Sequence, residues 1–120
     1  MKKAEQFVSK VLQDRDLAHI AHWKTRNRAE HKELQAFYEK VLDLIDGFVE
    51  QYQGAYDTRM TIERTDGTPG GDIREHLSDS AEWMEMYRYQ ICEKDETALQ
   101  NTIDEIVRLY QHTRYMLTLE

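Results

Sequence analysis

The sequence predicts an all-α protein, a bundle of four helices in one domain over residues 1–120, with a long connection between the second and third helices. Proline occurs once and glycine five times in 120 residues, and the proline sits in the only Gly-rich segment, so helix breakers are scarce elsewhere. Apolar residues recur at three- and four-residue spacing in four separate stretches, each the pattern of an amphipathic helix.

From Ala4 to about Arg26 the apolar series is Phe7, Val8, Val11, Leu12 and Ala18. His22 continues it, within about 20° of Val11 on a helical wheel, and His19 stands on the edge of the same stripe. A histidine there is a core residue bonded to a neighbour, a subunit contact or a metal ligand. The apolar phase resets between Thr25 and Arg28, which predicts a tight turn and an αα-hairpin. From Ala29 to Tyr52 the stripe is regular: Leu34, Phe37, Val41, Ile45 and Phe48 mark a core helix. His31 projects within its arc. Asp46 and Glu50 lie side by side at i and i+4, either as part of a solvated acidic face with Glu39 and Asp43 or as ligands.

Gly54 to Asp72 reads as the one loop, with Gly67, Pro69, Gly70 and Gly71 ending any helix. Its last part, residues 57–71, spans about 50 Å when extended, against about 38 Å for a 25-residue helix. A crossover along the whole bundle is therefore within its reach. The third helix starts at Asp72 as N-cap and carries Ile73, Leu77, Ala81, Met84, Tyr87 and Ile91 inward. Trp83, Met86 and Tyr89 fall off that stripe, toward the crossover or toward an oligomer contact. Asp95 or Thr97 caps the fourth helix, whose stripe is Leu99, Ile103, Ile106, Val107, Tyr110 and Leu117.

A net charge of −7 and a pI near 5.2 argue against a domain built to grip nucleic acid, which needs a basic surface. The local basic groups, Lys2 with Lys3 and Lys24 with Arg26 and Arg28, read as a solvated helix start and a solvated turn. No strong DNA binding is expected. Cys92 is the single cysteine, so no internal disulfide forms and the chain suits a reducing compartment. Without a targeting pattern or an apolar run of membrane length, it is expected to be soluble and cytoplasmic.

The ligand-type side chains His22, His31, Asp46 and Glu50 gather in the first hairpin. Fifteen residues separate His31 from Asp46, roughly 22 Å along one helix. They cannot serve one ion within one chain, so any shared site lies between two chains. None of the five histidines has a glutamate three residues before it, which argues against a di-iron centre of the Glu-x-x-His type inside one bundle.

The stretch resembles the Dps family of mini-ferritins, within the ferritin-like superfamily of four-helix bundles with a crossover between helices 2 and 3. His22-Trp23 matches the family's His-Trp pair, His31 its second histidine, and Asp46 with Glu50 its acidic pair. The segment DETALQNTIDEIVRLYQHTRYMLTLE is similar to the family's last helix, and the short acidic chain resembles small ferritin-like proteins of phages.

The resemblance implies a ferroxidase that oxidises Fe2+ to Fe3+ at non-haem iron for detoxification or storage. Its site would join His22 and His31 of one subunit to Asp46 and Glu50 of a two-fold partner, with His19 and Gln35 as additional candidates. It further implies a homodimer and, as the larger assembly, a dodecamer. A departure is Gln35, where the family has aspartate. Gln35 and the short helix 1–2 link motivate the alternative, an interaction or structural protein that dimerises through helices 1 and 2 without iron.

Overall fold

The computed structural model describes residues 2–64 and 71–119, and the four expected helices are all present among them. They are α1 (Lys2–Lys24), α2 (Arg28–Tyr56), α3 (Ile73–Ile91) and α4 (Thr97–Met116). A three-residue turn joins α1 to α2. Asn27 caps α2 by accepting the Glu30 N–H at 3.1 Å, which supplies one of the orphan donors of a helix start.

The helix borders differ from expectation at two places. α2 runs through Gly54 and stops at Asp57, whose left-handed backbone (φ 48°, ψ 52°) returns its N–H to the Gln53 carbonyl. A short polar side chain tolerates that conformation, so aspartate ends the helix where glycine was expected to. Asp72 caps α3 as expected, accepting the Arg74 N–H at 2.9 Å. The residue before α4 is Glu96, rather than Asp95 or Thr97, and its carboxylate turns back to accept the Glu93 N–H at 2.9 Å. The expected breakers Gly67, Pro69 and Gly70 lie outside the described residues.

The helices form a square. α1 packs on α2 and α3, α4 packs on the same two, and the diagonal pairs are α1 with α4 and α2 with α3. Side-chain pairs fix the directions. Lys3 lies over the Tyr87 ring and Lys10 over Trp83, so α3 runs antiparallel to α1. Gln51 accepts from Thr102, and Phe37 meets Tyr110, so α4 runs antiparallel to α2. It follows that α2 and α3 are parallel, and the chain must travel the length of the bundle between them. It does so over α1: Glu5 accepts the Thr61 N–H, the Ser9 hydroxyl donates to the Glu63 carbonyl at 2.7 Å, and Arg64 reaches Asp16 at 3.7 Å. This is the one-crossover arrangement the segment length predicted.

The core is the expected set of stripes, with Phe7, Leu34, Phe37, Phe48, Leu77, Met84, Ile103 and Tyr110 essentially sealed from solvent. Among the buried polar residues the one carboxylate is Asp14, which lies on the α1 stripe between Val11 and Ala18 and is 3% exposed. The Tyr110 hydroxyl donates to it at 2.9 Å across the bundle diagonal. Burial pushes the Asp14 carboxyl up to about 6, against smaller opposing pulls from hydrogen bonds to Ser80 and Tyr110 and from Lys10 and His76. Tyr110 is held well above the usual tyrosine range by the same burial and by the Asp14 charge.

The sign of the linkage follows. The folded carboxyl keeps its proton to higher pH than the unfolded one, so its contribution to stability is fully present below about pH 4 and is lost as pH rises through about 6. A shift of this size corresponds to on the order of 3 kcal/mol. Asp14→Asn keeps an acceptor for Tyr110 and offers its amide to Ser80. Urea titrations from pH 4 to 8 are expected to show a smaller loss of stability in the variant than in the parent, and higher variant stability at pH 8.

Candidate functional site

The α1–α2 hairpin brings two of the proposed ligands together. His22, 6% exposed, and His31 stack with ring centroids 3.6 Å apart and planes 19° from parallel. The His22 Nδ1 lies 2.7 Å from the His31 carbonyl, and the His31 Nδ1 lies 2.8 Å from the His22 carbonyl. A carbonyl can only accept, so both Nδ1 atoms carry hydrogen, which fixes the tautomer of each ring when neutral. Because the two residues are nine apart in sequence, this reciprocal pair ties the last turn of α1 to the first turn of α2. It satisfies a helix-terminal carbonyl on α1 that would otherwise lack a partner.

Aromatic rings extend the clasp. His19 stacks on Tyr38 at 4.1 Å and leans on Trp23 at 4.2 Å, while His22 meets the Tyr38 ring edge-on at 5.3 Å. The Arg15 guanidinium lies 5.6 Å from the Tyr38 centroid. His19 is thus a ring in a stack, which accounts for its place on the stripe's edge.

The remaining proposed ligands stand elsewhere. Asp46 and Glu50 are exposed on the outer face of α2, roughly 22 Å and more beyond His31 along the helix. Gln35 is exposed and donates to Glu39 at 3.0 Å. Among the described residues no group of three or more His, Cys, Asp or Glu side chains could hold a metal ion. The clasp also limits what its histidines can do together. A nitrogen lone pair lies in its ring plane, and planes this nearly parallel do not converge within a metal–nitrogen bond of about 2.1 Å. Both Nε2 atoms could bind one ion only if a ring left the stack and gave up its Nδ1 bond.

Two polar clusters escaped the sequence reading. One is Asp14 with Tyr110, signalled by an acidic residue at stripe spacing. The other is Gln100, buried at the α3–α4 turn, whose amide donates to the Arg88 and Cys92 carbonyls at 3.0 and 3.1 Å. Arg88 in turn pairs with Asp104 at 2.6 Å. Burial raises the Cys92 thiol to about 11, with Glu96 adding to the rise, so Cys92 is a buried packing residue and a poor nucleophile.

Fold and clasp together define a small one-crossover helical bundle closed by a histidine hairpin clasp. The chain belongs to the Family of unknown function (DUF5856), whose model matches residues 22–117, from the first clasp histidine to the end of α4. A relative in Enterobacteria phage T4, described as the uncharacterized 14.6 kDa protein in the mobD-ri intergenic region, is 28% identical over 122 residues. That match covers 98% of this chain and 90% of the phage protein. No solved structure matches.

These findings correct the resemblance to Dps mini-ferritins. The matching family is one of unknown function, and neither a ferritin-like nor a Dps match accompanies it. The quoted motifs are few and short, and their histidines have a local role that any αα-hairpin could use. No helix among the described residues is long and apolar enough to cross a membrane.

The clasp generates a direct test. His22→Ala and His31→Ala should each lower stability by about 1–3 kcal/mol, measured by denaturant unfolding. The double variant should cost less than the sum, because each ring is the other's stacking partner.

Proposed function

We propose that the protein is a non-catalytic interaction protein, a helical bundle that pairs with a second copy of itself through the outer face of α1 and α2. The observation that carries this reading is the apolar tip of the hairpin. Trp23 is 68% exposed and Ile20, one turn earlier, 37% exposed. Ile20 borders a groove whose apolar wall is Leu12, Leu17, Leu42 and Ile62, rimmed by Arg15 and Asp16. Large apolar side chains grouped on a chain that is 32% charged are expected to be covered by protein. The histidines support the same reading, since each is engaged in holding the hairpin that presents this tip.

Sedimentation of the full chain without added metal is expected to show a dimer, weakened on the order of tenfold by Trp23→Ala. A chain that stays monomeric over the accessible concentration range would overturn the reading.

A second reading, Fe2+ bound and oxidised between two chains, is favoured by one observation. Both Nδ1 atoms donate to main-chain carbonyls, which orients each ring and leaves its Nε2 free, the usual arrangement of metal-ligating histidines. It requires His31 of one chain beside Asp46 and Glu50 of another, with at most one clasp ring on each ion. Asp and Glu oxygens with imidazole nitrogen suit Fe2+. Iron oxidation followed by absorbance separates the two: a rate abolished by His31→Ala and by Asp46→Ala favours iron, and an unchanged background rate favours pure pairing. The DNA-binding expectation is tested in the same preparations by mobility shift at low salt, where no shift is expected.

A further inference from the structure

The outer face of α2 carries a charge layout that works against its own helix. At about 100° per residue, Arg28, Lys32, Glu39, Asp43, Asp46 and Glu50 fall within an arc of about 60°, opposite the buried stripe of Leu34, Val41 and Phe48. All six are exposed. The cations occupy the first two turns and the anions follow from Glu39 to Glu50, and the last turn contains no basic residue. A helix start carries partial positive charge, so Arg28 stands at the unfavourable pole.

The i,i+4 neighbours add to the cost. Arg28 with Lys32, Glu39 with Asp43, and Asp46 with Glu50 are all like-charge pairs, which repel on neighbouring turns. Among the described residues, Arg28, Lys32, Asp43, Asp46 and Glu50 have no ion-pair partner, and Glu39 is held only by Gln35. Among the described residues no ion pair offsets this arrangement.

We propose that the outer face of α2 docks antiparallel against the same face of a second copy, about a two-fold axis level with Glu39. This rests on the self-pairing reading above and specifies its geometry. In that register Arg28 stands opposite Glu50 of the other copy and Lys32 opposite Asp46. Both pairs occur twice by symmetry and share one axis, although the axis is fixed by either alone. The second copy is the occupant because the face is self-complementary, as an isologous interface requires. The apolar tip with Ile20 and Trp23 lies at the same end of the bundle as Arg28 and Lys32, next to the His22–His31 clasp. The one like-charge meeting is Glu39 with its own copy on the axis, which makes Glu39 a residue that weakens the pair.

Charge reversal tests the geometry on the full chain. Arg28→Glu with Lys32→Glu makes the face uniformly acidic, and Asp46→Lys with Glu50→Lys makes it basic at both ends. Each double variant is expected to weaken self-association on the order of a hundredfold while remaining folded by circular dichroism, since all four positions are exposed. Mixed in equal amounts, the two variants should form a heterodimer, and Glu39→Gln in the parent should tighten the homodimer. A parent that never associates would sink the self-pairing reading. A parent that associates while both variants remain dimeric and gain nothing on mixing would sink only the antiparallel α2 pairing.

Discussion

The hydrogen bond from Tyr110 to Asp14 crosses the diagonal of the bundle and ties together two helices that do not pack side by side. Tyr110 also meets Phe37 edge-on at 5.0 Å, so one side chain touches α1, α2 and α4 at the same level. A buried carboxyl is costly unless satisfied, and the cost makes the arrangement specific: sliding α4 by a turn would cost Asp14 its Tyr110 donor. The registers of α1, α2 and α4 are therefore coupled through a buried polar contact.

That register determines what the hairpin can present. With α1 and α2 locked antiparallel, His22 and His31 meet at the turn and use their Nδ1 hydrogens on each other's main chain. Asp46 and Glu50 are carried to the far half of α2. Distance along a helix is rigid, so the same bundle that joins the histidines separates them from the carboxylates. Chemistry linking the two sets can only pass through a second chain.

The parallel course of α2 and α3 imposes the other large constraint. The connection has to run the length of the bundle, and it lies on α1, held through Glu5, Ser9 and Asp16. It covers part of the outer surface of α1 but leaves Ile20 and Trp23 uncovered at the hairpin end. One-crossover bundles serve many activities, and the topology by itself assigns none.

The sequence by itself determined the four helices, their buried stripes, the Asp72 cap and the need for a crossover, because helical periodicity and breaker placement are local properties of the chain. It also determined that His31 and Asp46 cannot meet, since that follows from helix rise alone. Only the tertiary structure decided what the histidines touch within the chain. Whether His22 on the α1 stripe was a core residue or a ligand depended on what the turn placed opposite it, and the turn placed the His31 ring and carbonyl there. The role of Asp14 was likewise invisible, because its partner is 96 residues away and its meaning comes from burial. The family followed from neither motif nor fold. Four residues at helical spacing are too common a pattern to identify a lineage, and this chain belongs to one whose function was not written in them.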